Sequence, residues 1–315
     1  MQGLMSVLDS WSVIAWLACA GTVLAWGARW GWPIELACHF RVQYAWVLGV
    51  SAACFAVGRR PLAAAIAGAA AAINLGYILP LYRRDAAPTH PGVSCRIFLA
   101  NLLAANSSHA LLQRAIRAAD PDLVILEEFT QEWLAALGDV AADYPHSEAV
   151  ILERGFGIII FSRLPFTQAG VKYLEDAGPP PVIARVRVGD THLTVIATHP
   201  LSPTTPRRFH YRNQQLLQLT PLVLAQREPV VVVGDLNMTS WSPAFQEFLR
   251  RTKLRNSCRG FGVQPSWPVW VPPLRIPLDH CLVSSDIVVR KRRLGPHVGS
   301  DHLPVIVDIV LTTRR

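Results

Sequence analysis

Hydrophobic positions follow two different patterns along this chain, and the change falls near residue 90. Before it, they form long runs. Residues 11–27 carry no charge, a second run closes at Val57 ahead of Gly58, Arg59, Arg60 and Pro61, and a third, residues 62–82, is rich in Ala and Gly. Runs approaching roughly 20 apolar residues match the hydrocarbon core of a bilayer. Small residues suit close helix packing in lipid, and the finish of the third run at Tyr82, Arg83 and Arg84 suits an interface. The pattern predicts about three transmembrane helices. Where the second begins is open: Glu35, His39, Arg41 and Gln43 follow Pro33, so it either starts near Val42 or carries polar groups turned toward other helices. A cleaved signal is not expected, because Asp9 stands where a basic residue would precede the first run.

After residue 90 the texture changes. Residues 85–93, with Pro88 and Pro91, read as a linker. Short apolar runs separated by amphipathic stretches follow, and they predict strands over residues 95–99, 123–126, 157–161, 191–198, 230–233, 281–283 and 305–310. Between the first two, Leu112, Ala115, Ile116 and Ala119 recur at helical spacing, with Asn106 or Ser107 as a cap and Asp120-Pro121 as a stop. This is the signature of a mixed α and β domain. The predicted organisation is a membrane anchor over residues 1–84, a linker over 85–93 and a catalytic domain over 94–315.

Composition sharpens the division. The chain of 315 residues is 51% hydrophobic and only 17% charged, with a net charge of +8. The first 90 residues hold six basic and three acidic side chains, leaving 24 and 19 to the rest, so the catalytic part carries a mild +5. That balance fits an anionic substrate or a lipid surface and does not demand the broad basic groove of a nuclease. The six cysteines form no CxxC or Cys/His cluster, so neither zinc nor a disulfide framework is indicated, and they read as small buried hydrophobes.

Candidate chemistry lies where the strand-like runs end. In VVVVGDLNMTS, residues 230–240, four Val residues of a buried strand give way to Gly234, which permits a tight exit, and then to Asp235 and Asn237. Extended alternation would point both side chains to one side, where they could hold a water or a metal. The alternative is an Asx turn in which they bond their own backbone. Asn101, Glu128 and His199 follow other runs, while Asp279, His280, Asp301 and His302 precede two more. Oxygen donors at the ends of several strands are what a magnesium site needs.

In that order, PDLVILEEF, GDLN, LDHCLVS and GSDHLPV resemble the motifs of the endonuclease/exonuclease/phosphatase superfamily, over about the last 220 residues. The resemblance implies an α+β fold, a four-layered α/β/β/α sandwich of the DNase I-like kind, here preceded by the three membrane helices. It also implies Mg2+, with Mn2+ as an alternative, held by Glu128, Asn101 and Asp301. Asp235 would take the proton of the attacking water, Asn237 and His199 would contact phosphate, and His302 would be held as an imidazolium by Asp279. The usual LQE of the family reads Leu126-Glu127-Glu128 here. Register assigns the ligand to Glu128 and makes Glu127 a surface or supporting residue, with Glu127 as the alternative ligand. His39, His280 and the remaining histidines receive no role.

Three further stretches stay open. Arg207 to Gln215, RRFHYRNQQ, reads equally as a basic rim or a helix start; Trp267 and Trp270 form either a substrate wall or loop packing; Arg290, Lys291, Arg292 and Arg293 read as a solvated turn, or else as a patch for anionic lipid. The expectation is a multi-pass protein of a bacterial inner membrane, its catalytic domain outside the cytoplasm. It would hydrolyse a lipid-linked phosphate ester, with membrane lipids as partners. A metal-dependent nuclease acting on nucleic acid is less favoured, and a silent membrane scaffold is the alternative of another class.

Overall fold

The structure, a computed structural model, describes residues 2–84, 92–152 and 155–312, with side chains from residue 11 onward. The long apolar runs are helices: α1 (Gln2–Leu24), α2 (Arg41–Val57) and α3 (Pro61–Ile78). Short 3-10 segments extend them at Ala25–Trp30, Ile34–Phe40 and Leu79–Tyr82, giving three helical stretches long and apolar enough to cross a membrane. They pack through small residues, with Ala15, Ala18, Ala67 and Ala71 around Leu48 and Phe55. Polar groups inside the bundle satisfy one another. Arg41 Nη1 donates to Asn74 Oδ1 (3.1 Å), and Asn74 Nδ2 donates to Thr22 Oγ1 (2.8 Å). The outward faces leave Val13, Leu17, Val23, Trp46 and Leu62 exposed. The second run thus starts its α-helix at Arg41, and the polar residues ahead of it form a separate short helix.

Two six-stranded sheets make up the rest. The first contains β1 (Gly92–Asn101), β2 (Leu123–Phe129), β3 (His146–Val150), β4 (Gly157–Ser162), β11 (Ile287–Leu294) and β12 (Val305–Thr312), in the order β11-β12-β1-β2-β4-β3. The second contains β5 (Phe166–Val171), β6 (Val182–Val188), β7 (Thr191–Ala197), β8 (Val230–Asp235), β9 (Arg255–Asn256) and β10 (Asp279–Val283), in the order β5-β6-β7-β8-β10-β9. Their inner faces share one core, from Ile97, Leu99 and Ile125 on one side to Val195, Val231 and Val233 on the other. Outside the first sheet lie α4 (His109–Ala119), α5 (Gln131–Ala136) and α6 (Gly138–Ala141), on Phe98, Val124 and Leu126. Outside the second lie α7 (Pro206–Leu224) and α8 (Pro243–Thr252), on Ile196, Val232 and Leu236. The result is a four-layered α/β/β/α sandwich. Strands buried on both faces, such as VVVV, read as continuous apolar runs for this reason.

Each sheet has one parallel pair, β1 with β2 and β7 with β8. A parallel pair needs a helical crossover, supplied here by α4 and α7. Their carboxyl ends open at the same edge of the sandwich. The starts of the antiparallel strands β10 and β12 reach that edge too, because Asp279 pairs with Asp235 and Val305 with Leu99.

Several expectations shift. Ser108 caps α4, and Asn106 Oδ1 instead accepts the Ser108 N–H (2.9 Å), so neither predicted cap residue opens the helix. β1 begins at Gly92, two residues inside the stretch read as linker, and 85–91 lie outside the described residues. The Arg290 to Arg293 cluster is not a solvated turn. It lies in β11, which bulges between Val289 and Lys291, and Arg292 is buried, donating to Ser257 Oγ (3.0 Å) and to the Asp279 carbonyl (2.8 Å).

The N-terminal helices are seated on the sandwich. Leu81 accepts backbone N–H bonds from Gly260 (2.7 Å) and Gly262 (3.0 Å), and Trp241 Nε1 donates to the Tyr77 carbonyl (3.1 Å). Glu35 forms an ion pair with Arg212 of α7 (Oε1 to Nη2, 3.0 Å), both side chains being buried, and accepts from Ser242 Oγ (2.6 Å). Glu35, Cys38 and His39 cluster closely enough to bring a metal to mind. However, Arg212 already neutralises that carboxylate, and His39 Nδ1 is engaged by Thr239 Oγ1 (3.0 Å), so the cluster is a tie between the two parts.

Candidate active site

The shared edge forms a cleft of about 520 Å³. Asn101, at the end of β1, donates from Nδ2 to Glu128 Oε1 (3.1 Å) and Asp235 Oδ2 (3.3 Å), while its Oδ1 accepts the Leu103 N–H (3.0 Å). It therefore joins the ends of β2 and β8 across the two sheets.

Glu127 and Glu128 take different paths because β2 bulges between Glu127 and Phe129 and Glu128 has φ +54°. A bulge re-aims a side chain beside a site. Glu128 turns into the cleft, with Oε2 accepting the Ala104 N–H (2.9 Å). Glu127 is wholly buried rather than on the surface, and its Oε2 accepts the Asp235 N–H (2.8 Å). Burial, and then the charge of Asp235, push the Glu127 pKa well above the usual carboxylate range, and the side chain supports Asp235 from beneath.

Asp235 and Asn237 do leave the strand toward one cleft, though not by extended alternation. The Asn237 N–H donates to Asp235 Oδ1 (2.8 Å), an Asx turn, and Asn237 has φ +51°. The turn that competed with a functional reading is the device that aims both residues. Asn237 Nδ2 donates to the Pro200 carbonyl (2.9 Å), and its own carbonyl accepts from Arg212 Nη1 (3.2 Å).

Asp235 Oδ2 faces His199 Nε2 (3.6 Å) and His302 Nε2 (3.7 Å). His302 Nδ1 bonds Asp279 Oδ2 (2.9 Å). Burial alone would lower the His302 pKa, but the charges of Asp279 and Asp235 outweigh it and lift the value to about 10. Asp279, despite burial that opposes it, is held below its ordinary value by His302. Burial raises Asp235 to about 7, with the charge of His302 opposing. Burial, and then the charge of His302, lower His199 to about 4, so its ring is neutral.

Asp301 Oδ2 accepts from Trp267 Nε1 (2.8 Å), which gives that Trp a place in the cleft wall, whereas Trp270 is exposed on the adjoining loop. Ser300 Oγ links the strands by donating to the Asn101 carbonyl (2.8 Å) and accepting the His302 N–H (3.0 Å). Of RRFHYRNQQ, Arg208 lines the cleft while Arg212 is buried in the tie to the N-terminal helices. The sequence reading passed over Leu36, His39 and Phe40, which reach the cleft from the short helix Ile34–Phe40, and Phe156 from the loop before β4. Polar residues interrupting an apolar run were the available signal for the first three.

His280 lies behind the site, fully buried, with Nε2–H donating to the Met238 carbonyl (2.8 Å). Burial lowers its pKa to about 4, well below the roughly 6.5 of an unfolded chain. Its contribution to stability is therefore complete above pH 6.5 and is lost as pH falls toward 4, an effect of roughly 3 kcal/mol. His280→Gln is expected to show a smaller drop in melting temperature between pH 7.5 and 4.5 than the wild type, measured by nano-differential scanning fluorimetry in detergent. An equal drop would remove His280 from the acid sensitivity.

Glu128, Asp235 and Asp301 bring carboxylates to the cleft and Asn101 an amide; His302 and Arg208 are the charged bases that line it. An oxygen-rich donor set with this much negative charge fits a hard divalent cation. The fold is a sandwich of the DNase I-like class. Residues 95–302 match the Endonuclease/Exonuclease/phosphatase family, and the chain belongs to that family. No curated protein sequence matches it. Among solved structures, it is similar to an endonuclease/exonuclease/phosphatase from Beutenbergia cavernae (TM-score 0.58, 20% identity, 70% of this chain and 72% of the other). It is also similar to D. rerio TDP2 complexed with a single-strand DNA product (0.58, 16%, 69% and 98%) and to sphingomyelinase C from Streptomyces griseocarneus (0.51, 18%, 68% and 99%). At these identities the likeness is one of fold.

Proposed function

We propose that the protein is a membrane-tethered, divalent-metal-dependent phosphoester hydrolase acting on a lipid-linked phosphate ester. The observation that carries this reading is a single cleft in which the polar residues of both sheets meet side chains of the apolar anchor. Asp235 receives the proton of the attacking water. His302, kept as an imidazolium by Asp279, faces charge that develops on the phosphoryl oxygens, and Asn237 and His199 orient the phosphate. Glu128, Asn101 and Asp301 would hold the metal ion, Mg2+ in the first instance, which neutralises charge on the transferring group. Tethering raises the concentration of a membrane-borne substrate at the cleft.

The three helices run between two ends. α2 starts beside the catalytic domain, where Gln43 Nε2 donates to the Pro273 (3.1 Å) and Arg275 (3.0 Å) carbonyls, and α3 returns there. Arg59 and Arg60 therefore turn at the far end, about 26 Å away by helical rise. With Arg29, Arg41, Arg83 and Arg84 at the near end, the loop charges do not choose a side, and a catalytic domain outside the cytoplasm rests on the family resemblance.

The test is an assay of the purified full chain in detergent with Mg2+ against phospholipids, polyprenyl pyrophosphate and plasmid DNA. Release of phosphate or headgroup is expected, falling at least about a hundredfold with chelator and returning with Mg2+ or Mn2+. Nicking of the plasmid alone would make the protein a nuclease. Silence on every substrate with metal bound would leave a scaffold.

A further inference from the structure

The anchor does more than hold the catalytic domain near a membrane. Leu36 and Phe40, on the short helix Ile34–Phe40, line the same cleft as Asp235 and His302, together with Ile276 and Leu278 from the segment leading into β10. Leu36 and Phe40 are half-buried, so part of each surface remains open. Their segment is held in place, because Glu35, just before Leu36, is paired with Arg212 and His39, just before Phe40, is bonded to Thr239.

An apolar surface runs on from this wall. The loop before Ile276 exposes Trp270, Val271 and Leu274, and Gln43 binds its Pro273 and Arg275 carbonyls at the first turn of α2. Exposed Trp26 and Trp30 lie at the end of the first apolar helix, which packs against the Ile34–Phe40 segment. Aromatic side chains gathered at one end of apolar helices mark the headgroup level of a bilayer. An open apolar surface that passes from that level into a carboxylate-lined cleft fits an amphiphile better than a free phosphate.

We propose that Leu36 and Phe40 of the anchor, with Ile276 and Leu278, form a subsite for the hydrocarbon chain of a lipid phosphate ester entering from the bilayer. The inference rests on the hydrolase reading above and adds the residues that select the substrate. The anchor then supplies part of the binding site, and preference for a chain next to the scissile ester resides in two of its side chains.

Two diesters with one leaving group separate the possibilities: methyl p-nitrophenyl phosphate and hexadecyl p-nitrophenyl phosphate, each assayed with the full chain in mixed micelles and Mg2+. The wild type is expected to favour the hexadecyl ester at least about tenfold in kcat/KM, from the apolar area removed from water. In Leu36→Ala/Phe40→Ala that ratio is expected to fall about tenfold, mainly through KM for the hexadecyl ester. Leu36→Ala alone, a smaller disturbance, should shift the ratio in the same direction and serves if the double variant does not fold. A ratio unchanged in either folded variant, or a wild type indifferent to chain length, would overturn the subsite while leaving the hydrolase intact. If neither ester is cleaved by the wild type while metal is bound, the hydrolase reading fails and the subsite with it.

Discussion

Asp235→Asn is expected to lower kcat for phosphoester hydrolysis by about a thousandfold while the protein still purifies as a folded, monodisperse species. A general base contributes roughly a hundred- to ten-thousandfold to such a step, and Asp235 is the carboxylate on which the site converges. Its Oδ1 accepts the Asn237 N–H, and its Oδ2 faces Asn101, His199 and His302. The Asn variant keeps an acceptor for the Asx turn and removes the proton acceptor, so a loss confined to kcat isolates the chemical role. Asp235→Ala, which also removes the turn's acceptor, should additionally raise KM as Asn237 loses its position. Full activity in the Asn variant, measured as initial rates over a substrate series, would move the base elsewhere.

Gly234→Ala is expected to damage the fold itself. Gly234 has φ +154°, and a Cβ built there would stand 2.0 Å from the Thr198 carbonyl oxygen and 2.4 Å from Glu127 Oε1. Neither neighbour can give way: Thr198 donates its N–H to the Val233 carbonyl (3.0 Å), and Glu127 is buried under Asp235. Strain and overpacking together cost on the order of 3 kcal/mol or more, a large part of the stability of an ordinary domain. The expected result is loss of monodisperse protein on size-exclusion chromatography, or a melting temperature lower by 10 °C or more, a shift on the order expected for that cost. A variant with wild-type melting would show that the edge of β8 is far more yielding than its contacts imply.

Much of this architecture was legible in the hydrophobic pattern, for a physical reason. Strands buried on both faces must be continuously apolar, and those of residues 123–126, 157–161 and 230–233 stood out accordingly. β3 and β5 are edge strands, and their exposed positions dilute the signal. β6, VIARVRV, alternates buried and less buried positions and could have been found by period two. The Arg-rich β11 was hidden by its charges, one of which is buried for a reason only the tertiary fold provides: Arg292 spans Ser257 and the Asp279 carbonyl.

The site residues could be named from motifs, but not their means of support. Nothing in Leu126-Glu127-Glu128 discloses the bulge that sends one Glu into the cleft and the other beneath Asp235. What holds Glu35, Leu36, His39 and Phe40 in place was out of reach for a related reason. Their partners Arg212, Thr239 and Ser242 lie about 200 residues away by number, a separation no local pattern spans.

The pairing of Glu35 with Arg212 also bears on modularity. A guanidinium sealed in the interior with its counter-charge supplied by another part of the chain is stable only while both parts are present, since removing one partner of a buried pair costs about 3–5 kcal/mol. A soluble hydrolase joined to an arbitrary hydrophobic leader would lack that complement. Here the two parts form one folded unit, in which an exchange of the N-terminal helices would have to carry a matching change at position 212.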